Sequence, residues 1–600
     1  MNGHIAQGPW RPKSYPAQTW TKEDARSQST LSQEPEQPLK LPSTIRAVQD
    51  SRARYTRGRT LIICLDGTGD KFDSDNSNVV NFVACLKKDD PSQVTYYQSG
   101  IGTYDGHGMS KGFSAGIDMA VGSGLGVHIK DAYKFLMQNY HEGDKICLLG
   151  FSRGSYTVRC LAGMLHKVGL LPAHNVAQIN FAYEFYKNDT PEGWKMSGEF
   201  KKTFCINVEV YFVGVWDCVA AVGFIPRKLP FSKSPTNTIG YFRHAMSLDE
   251  HRAKFKVCQY QHQDPAADVR QTVDKTPKAK IKAEKNKGVG RLGRLFSSCF
   301  GSEPSTASDS GVEKRLSGSS TSSNNHLQKL EQDLKNLDEK KDFELDKLML
   351  EFDKINHSGH KHRQTDALEV WFMGCHADVG GGAVANEERH MLSRIPLRWM
   401  IRQCFECNTG ILFDTAPLAE TGMDLPTVWP VYKTPKPPVV GPSPAMVEQY
   451  ENGALPPLHR RSTALGVHKK EKKADDVDIV DELKTARVDK YWEDEKRRLE
   501  VDLDLLPEQV EDHFDAMARI NDQLVDAKGW WILEAWPVKV RLQKKSTEEW
   551  EKVVRMNLGR YRAIRELEPK MHWTVQLRQT DKGYKIQNRV DKDAVWQIAA

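Results

Sequence analysis

Short apolar runs alternate along this 600-residue chain with stretches of helical periodicity. The runs end at polar or glycine-rich turns and lie at 61–65, 146–149, 208–216 and 368–372, and the more polar stretch 254–260 is a further strand candidate. Runs that are short and apolar throughout are typical of strands buried on both faces. Helical spacing at 127–140 and 155–168 supplies the connections that parallel strands require. The pattern therefore predicts an α/β protein with a mainly parallel sheet flanked by helices.

Changes of composition divide the chain into five segments. Apolar residues make up only 39% of it, so part of the chain is expected to lie outside any core. We predict a disordered leader at 1–57, two parts of the core at 58–262 and 366–420, an insertion at 263–365, and a helical and aromatic C-terminal region at 421–600 that packs on the core. Short alternating stretches occur in that last region at 538–542 and 573–577.

The insertion is predicted to be largely disordered, because it is rich in serine and in charge. Eight Lys/Arg and one acid lie in 275–294, followed by apolar residues and Cys299. Such a block is attracted to anionic lipid headgroups, and palmitoylation of Cys299 would add a second membrane signal. A solvated tail or a nuclear-import-like run explains 275–300 equally well. Leucines spaced by three and four within 326–355 predict one amphipathic helix or a short coiled coil.

Charge and hydropathy exclude several classes of protein. Basic residues exceed acidic ones by only 6, so nucleic acid is not an expected partner. No apolar run is long enough to span a bilayer, and the N-terminus lacks the apolar core of a secretory signal. The eleven cysteines are sparse, and several, such as Cys64 and Cys147, lie in apolar runs, which favours reduced thiols. We expect a cytoplasmic protein, peripheral to a membrane if the basic block binds lipid.

Residues 150–154 read GFSRG, a G-x-S-x-G motif between an apolar run and a helical stretch. In a nucleophile elbow, the serine lies on a strained turn and the glycines let the backbone pass closely. Ser152 is therefore the candidate nucleophile, and a serine that caps the helix is the alternative.

A serine nucleophile needs a base and an acid that orients the base. Asp217 and His376 follow two later apolar runs, in the order Ser, Asp, His that is typical of α/β hydrolases. They are the candidate acid and base. His244 and His572 remain alternative bases. For the oxyanion hole we expect the N–H of Arg153 and that of Gly67 or Thr68.

Three weaker motifs are set aside. Cys404 and Cys407 form a lone C-x-x-C without further ligands at metal-binding spacing. The aspartates of 66–75 lack the spacing of a calcium loop, and the glycines of 122–126 lack that of a dinucleotide fingerprint. No metal and no cofactor is predicted.

Five motifs together resemble the α/β-hydrolase domain family of unknown function that includes bacterial type VI secretion phospholipase effectors. They lie at 65–69, 150–159, 214–217, 244–250 and 374–382. The resemblance implies an esterase acting on lipids, with the family's Ser, Asp and His falling on Ser152, Asp217 and His376. The chain departs from the family pattern at Ser155, Cys218 and Cys375, where Ala, Thr and Val are usual.

The sequence thus predicts a serine hydrolase that cleaves carboxylic esters of phospholipids, other lipids or small acyl compounds. A non-catalytic interaction protein on the same fold is the alternative. A metal-dependent hydrolase using the aspartates near residue 70 is a third hypothesis. The tryptophans of 530–536 are interpreted either as part of a lid or acyl pocket, or as core.

Overall fold

The structure is a computed structural model and describes most of the chain outside the leader and the insertion. The described residues are 41–53, 58–100, 114–219, 229, 239–260, 365–438, 441–456, 458, 461, 506–535, 537–543 and 550–600. Most of the leader, the basic block, Cys299 and the predicted coiled coil lie outside these residues.

Fourteen strands are described. In chain order they are β1 (Thr44–Arg46), β2 (Thr60–Leu65), β3 (Gln93–Gln98), β4 (Lys145–Phe151), β5 (Val210–Trp216), β6 (Ile239–Ser247), β7 (Asp366–Phe372), β8 (Leu412–Asp414), β9 (Pro537–Gln543), β10 (Trp550–Met556), β11 (Ala563–Ile564), β12 (Lys570–His572), β13 (Arg589–Val590) and β14 (Gln597–Ala599).

The described α-helices lie between these strands and in the C-terminal region. They are α1 (Asn78–Cys85), α2 (Ser114–Asn139), α3 (Ser152–Val168), α4 (Ile179–Lys187), α5 (Pro191–Phe204), α6 (His376–Gly380), α7 (Arg394–Glu406), α8 (Thr415–Ala419), α9 (Pro444–Glu451), α10 (Glu508–Met517), α11 (Gln523–Asp526), α12 (Trp531–Glu534) and α13 (Trp573–Lys582). No described helix has the length and apolar character needed to cross a bilayer.

Eight strands form the central sheet, in the order β3-β2-β4-β5-β6-β7-β12-β14. Every neighbouring pair in it is parallel, which confirms the predicted α/β architecture. The carboxyl ends of parallel strands meet at one edge of a sheet, where α/β proteins bind ligands. The turns after β2, β4, β5 and β7 therefore lie together at that edge.

Helices cover both faces of the sheet, and successive strand residues point into opposite cores. Ile62 and Cys64 of β2 pack in the core that contains α1 and α7. Leu61, Ile63 and Leu65 pack in the core that contains α2 and α3. Burial on both faces explains why these strands are apolar throughout.

The C-terminal region docks on the core through buried ion pairs between α7 and α10. Arg398 Nε lies 3.0 Å from Asp512 Oδ1, and Arg398 also pairs with Asp515. Arg402 Nε lies 2.7 Å from Glu508 Oε1. We call these contacts the ion-pair seam.

Several local predictions need correction. Residues 254–260 do not form a strand, because only Val257 pairs, in a single bridge to Val219. The segment 573–577 is the start of α13, whereas 538–542 lies in β9 as its alternation suggests. Four strands of the central sheet, β3, β6, β12 and β14, are absent from the predicted set.

Candidate active site

Ser152 lies on the sharp turn that joins β4 to α3. Its φ of 56° is in the left-handed region, which a non-glycine residue adopts only when its surroundings enforce it. A β-carbon on Gly150 would lie 2.8 Å from the backbone of Gly154, and one on Gly154 would lie 2.2 Å from the carbonyl oxygen of Leu65. Both glycines are therefore required by close approach. The turn has the strained geometry expected of a nucleophile elbow.

His376 connects Ser152 to Asp217 by hydrogen bonds. Its Nε2 lies 2.7 Å from Ser152 Oγ, and its Nδ1 lies 2.6 Å from Asp217 Oδ2. Asp217 follows β5, and His376 begins α6 after β7. The sheet edge therefore brings His376 to Asp217, which is 159 residues away in sequence, and to Ser152, which is 224 residues away. The three predicted triad residues thus form one hydrogen-bonded array.

Asp217 is fully buried and is held by four hydrogen bonds. Besides the bond to His376, its Oδ1 accepts from the Ser247 N–H at 3.0 Å and from Arg562 Nη1 at 2.6 Å. Its Oδ2 also accepts from Arg562 Nη2 at 2.8 Å. Burial disfavours the charged carboxylate, but the charge of Arg562 and the hydrogen bonds from His376 and Arg562 outweigh burial and hold the pKa of Asp217 far below its ordinary value.

The His376 ring is enclosed by aromatic side chains. The Phe151 and Phe255 rings lie with their centroids 4.7 and 4.8 Å from that of the imidazole. Burial lowers the pKa of His376 below its ordinary value, although the hydrogen bond and charge of Asp217 oppose this shift. The imidazole is therefore neutral at neutral pH, as a general base must be.

A second layer of side chains lies over Phe255. The guanidinium of Arg252 lies 3.6 Å from the Phe255 ring centroid and 4.7 Å from that of Trp530, while its Nε and Nη2 donate to Glu250. Trp530 also meets Phe255 edge-on, with ring centroids 5.5 Å apart. Trp530 is thus one side chain away from His376, next to the site rather than deep in the core.

The two predicted oxyanion donors differ in their surroundings. Arg153 follows Ser152 in the first turn of α3, whose N–H groups have no acceptor within the helix. The Gly67 N–H donates to Asp66 Oδ1 at 2.8 Å, and Tyr97 donates to the other oxygen of the same carboxylate at 3.0 Å. Gly67 must therefore give up or share a bond before it can donate to an oxyanion. Asp66 orders this loop through its hydrogen bonds with the Gly67 N–H and the Tyr97 hydroxyl.

The catalytic-domain model of the type VI secretion system, phospholipase effector Tle1-like family matches residues 59–403. This span is more than half of the chain and contains all three residues of the hydrogen-bonded array. The chain belongs to this family. The predicted family relationship is confirmed, and membership supports lipid hydrolysis as the general activity.

Two further comparisons match uncharacterized proteins. The chain is 28% identical over 591 residues to the uncharacterized protein YEL023C of Saccharomyces cerevisiae, covering 88% of this chain and 80% of that protein. A crystal structure of an uncharacterized protein from Pseudomonas aeruginosa matches 59% of this chain with 14% identity and a TM-score of 0.28. That match spans 47% of the length of the Pseudomonas chain.

The alternative bases, His244 and His572, have other hydrogen-bond partners. His244 accepts from the Cys218 N–H at 3.0 Å, and its Nδ1 lies 2.8 Å from Glu369. His572 stacks on Phe372, and burial lowers its pKa to about 3. The hydrogen bond to Ser152 comes from His376 instead.

The metal hypotheses find no assembled ligand set in the described residues. Within them, no three His, Cys, Asp or Glu side chains converge on a point that could hold a metal ion. Cys404 and Cys407 are free thiols buried in the core. Burial is the main cause that raises the pKa of both.

Arg562 is the residue of this site that sequence reasoning missed. It lies in the motif-free segment YRAIRE, 345 residues after Asp217 and beyond the Tle1-like match. Phe255 lies in the segment 254–260 for which the sequence predicts a strand, and the sequence does not predict its contact with His376. Neither residue has a local signal that distinguishes it from its neighbours.

Proposed function

We propose that this protein is a serine hydrolase that cleaves carboxylic ester bonds of phospholipids or other lipids. The observation that carries the proposal is the continuous hydrogen bonding from Ser152 Oγ through His376 to the buried carboxylate of Asp217. Family membership supports the lipid substrate in general, and the strained elbow supports a nucleophilic role for the serine.

In the proposed mechanism, Ser152 Oγ attacks the ester carbonyl carbon while His376 Nε2 takes the hydroxyl proton. Asp217 keeps the proton on Nδ1 and stabilises the imidazolium. The carbonyl oxygen becomes an oxyanion that accepts from the N–H of Arg153 and, once released from Asp66, from that of Gly67. The imidazolium then protonates the leaving alcohol as the ester bond breaks. Water attacks the acyl-enzyme by the same steps and releases the fatty acid.

A fluorophosphonate probe with the purified full chain tests this proposal. Wild type should be labelled, and Ser152→Ala should lose both labelling and hydrolysis of p-nitrophenyl esters and phospholipid. Ser155→Ala is the matched control, because it removes a neighbouring hydroxyl that bonds to the Gly150 and Trp216 carbonyls. Full activity of folded Ser152→Ala would refute the proposal. A folded wild type that is neither labelled nor active would favour the non-catalytic alternative.

We further propose that the enzyme works at the cytoplasmic surface of an anionic membrane as a peripheral protein. Four apolar side chains next to Trp530 support this: Val525, Trp531, Ile532 and Leu558 are 68, 47, 68 and 51% exposed. The Trp531 Nε1 donates to the Leu524 carbonyl at 2.9 Å, and a β-carbon on Gly559 would lie 3.4 Å from the Trp531 ring. The segments that carry these side chains are therefore adjacent. We call them the apolar rim.

Exposed basic side chains accompany the apolar rim, with Lys528 preceding Trp531 by three residues and Arg555 preceding Leu558 by three. Apolar side chains edged by cations fit a lipid surface with anionic headgroups. The predicted contact through 275–300 lies outside the described residues and stays a prediction.

Sedimentation with phosphatidylserine-containing vesicles tests the membrane contact. Trp531→Ser combined with Ile532→Ser should weaken vesicle binding and phospholipid hydrolysis while sparing a soluble short-chain ester. Phe181→Ser is the control, because Phe181 is exposed on α4, far along the chain from the rim. Unchanged vesicle binding by the rim variant would refute this contact and leave the 275–300 block as the candidate.

A further inference from the structure

We infer that Arg562 is the positioning residue of the catalytic acid, so that the C-terminal region completes an active site that the matched domain alone cannot form. The inference rests on the proposed function, because it gives Arg562 a part in the chemistry of Ser152, His376 and Asp217. The family match ends at residue 403, well before Arg562.

All five N–H donors of the Arg562 guanidinium have acceptors in this site. Nη1 donates to Asp217 Oδ1 at 2.6 Å and to the Ser247 carbonyl at 3.0 Å. Nη2 donates to Asp217 Oδ2 at 2.8 Å and to the Phe255 carbonyl at 2.6 Å. Nε donates to the same Phe255 carbonyl at 3.0 Å. A guanidinium with every donor engaged has one orientation, and it fixes the plane of the carboxylate that it grips on both oxygens.

The orientation of Asp217 matters because only one of its oxygens, Oδ2, bonds to His376 Nδ1. Its φ of 37° is in the left-handed region, which few non-glycine residues adopt and which aspartate tolerates. The fork on both oxygens holds Oδ2 toward His376 Nδ1, which selects the tautomer whose Nε2 can accept the Ser152 proton. Lysine carries the same charge but has no planar fork, so it cannot reproduce this grip.

The C-terminal region fixes Arg562 in turn. Its carbonyl oxygen accepts from the Arg589 N–H and the Asn588 side chain, both at 3.3 Å. The preceding Tyr561 stacks on His251, with ring centroids 4.6 Å apart. Arg562 is thus held on one side by Asn588 and Arg589 of the C-terminal region, and on the other by the stacking of Tyr561 on His251 of the matched domain.

Three variants of the full-length protein test the inference with a soluble p-nitrophenyl ester. Arg562→Gln removes the charge and the fork, Arg562→Lys removes only the fork, and Arg565→Gln removes a charge from an exposed site three residues away. We expect Arg562→Gln to lower kcat/KM on the order of 10²-fold through misorientation of the acid. Arg562→Lys should fall between it and wild type, and Arg565→Gln should match wild type.

The pH profile separates positioning from a purely structural role. The charged groups that act on the imidazole of His376 are Asp217, Glu250 and Arg252. Arg562 lies behind them, paired with both oxygens of the Asp217 carboxylate that bonds to Nδ1. Loss of one positive charge stabilises the imidazolium, so the acid limb of kcat/KM should move to higher pH in Arg562→Gln and stay in place in Arg562→Lys. A purely structural defect would lower the plateau value of kcat/KM without shifting the pH at which its acid limb falls.

A double-mutant cycle with Asp217→Asn shows whether Arg562 acts through the acid. Asp217→Asn should lose about 10⁴-fold, and adding Arg562→Gln should lower the rate no further. Three results would overturn the inference. The rate losses of the two single variants could multiply in the double variant, the acid limb of kcat/KM could stay in place in Arg562→Gln, or Arg562→Gln could have the rate of wild type. If Arg562→Gln does not fold, a wild-type rate in Arg562→Lys overturns it. An active Ser152→Ala protein would instead overturn the proposed function.

Discussion

Replacing Gly154 by alanine sets two opposite effects against each other at the elbow. In an ordinary helix this change stabilises by about 0.5–1 kcal/mol, because alanine loses less backbone freedom on folding. Here the added β-carbon would lie 2.2 Å from the Leu65 carbonyl oxygen and 2.5 Å from that of Asp66. Ordinary contact begins near 3.4 Å, so the start of α3 must retreat from the 65–66 turn by about 1 Å. Overpacking of this kind costs about 1–3 kcal/mol, so we expect a net loss of about 1 kcal/mol.

We expect Gly154→Ala to affect the rate of ester hydrolysis more strongly than the free energy of unfolding, because Ser152 lies only two residues before Gly154. A shift of α3 moves Ser152 Oγ away from its 2.7 Å contact with His376 Nε2. A misplacement of about 1 Å costs on the order of 10²-fold in rate. Ester hydrolysis and thermal unfolding of Gly154→Ala measure the two effects separately.

Gly441→Ala is the matched control, because a β-carbon there meets no atom within 4 Å and no left-handed φ is involved. It should leave both rate and Tm unchanged. A Gly154→Ala protein with a raised Tm and the rate of wild type would refute the close-approach argument, since helix propensity would then have decided the outcome.

Three further predictions concern pH, docking and the alternative base. Because burial lowers the pKa of His376, kcat/KM should be constant at neutral pH. It should fall only as the pH drops through a value below 6.5, where the imidazole protonates. An acid limb of kcat/KM centred above pH 6.5 would contradict this. Arg398→Met leaves Asp512 and Asp515 buried without that partner and should lower the free energy of unfolding by about 3–5 kcal/mol, measured by urea denaturation. His572→Phe should retain wild-type ester hydrolysis, whereas its inactivation in a folded protein would revive His572 as a base.

Strands of uniform apolar character could be predicted, and strands with polar interior residues could not. In β6, Arg243 donates to the Gln403 side chain at 2.6 Å, and His244 lies 2.8 Å from Glu369. In β3, Gln93 exchanges hydrogen bonds with the backbone of Leu412. Each polar group is satisfied by a partner far along the chain, which local periodicity cannot reveal.

The convergence of Ser152, Asp217 and His376 could be predicted because parallel strands end at a common edge. The sequence predicts Ser152 at the end of one central strand, and Asp217 and His376 after the ends of two others. Arg562 follows no strand of the central sheet and reaches the edge from the C-terminal region. Its position is set by the docking of that region rather than by the sheet, so strand order gives no information about it.

That docking has a sequence signal that apolar periodicity overlooks. Arginines at 394, 398 and 402 recur every four residues along α7, and acids at 508, 511, 512 and 515 line α10. Residues at this spacing share a helix face, so the two stripes are complementary. Buried ion pairs add little net stability, but sliding α10 by one turn would leave buried charges unpaired and cost several kcal/mol. The ion-pair seam therefore selects one register, and the chain that follows α10 starts from a fixed position on its path to Arg562. Complementary charge stripes on two helices that are distant in sequence are thus the feature from which the approach of the C-terminal region to Asp217 could be predicted.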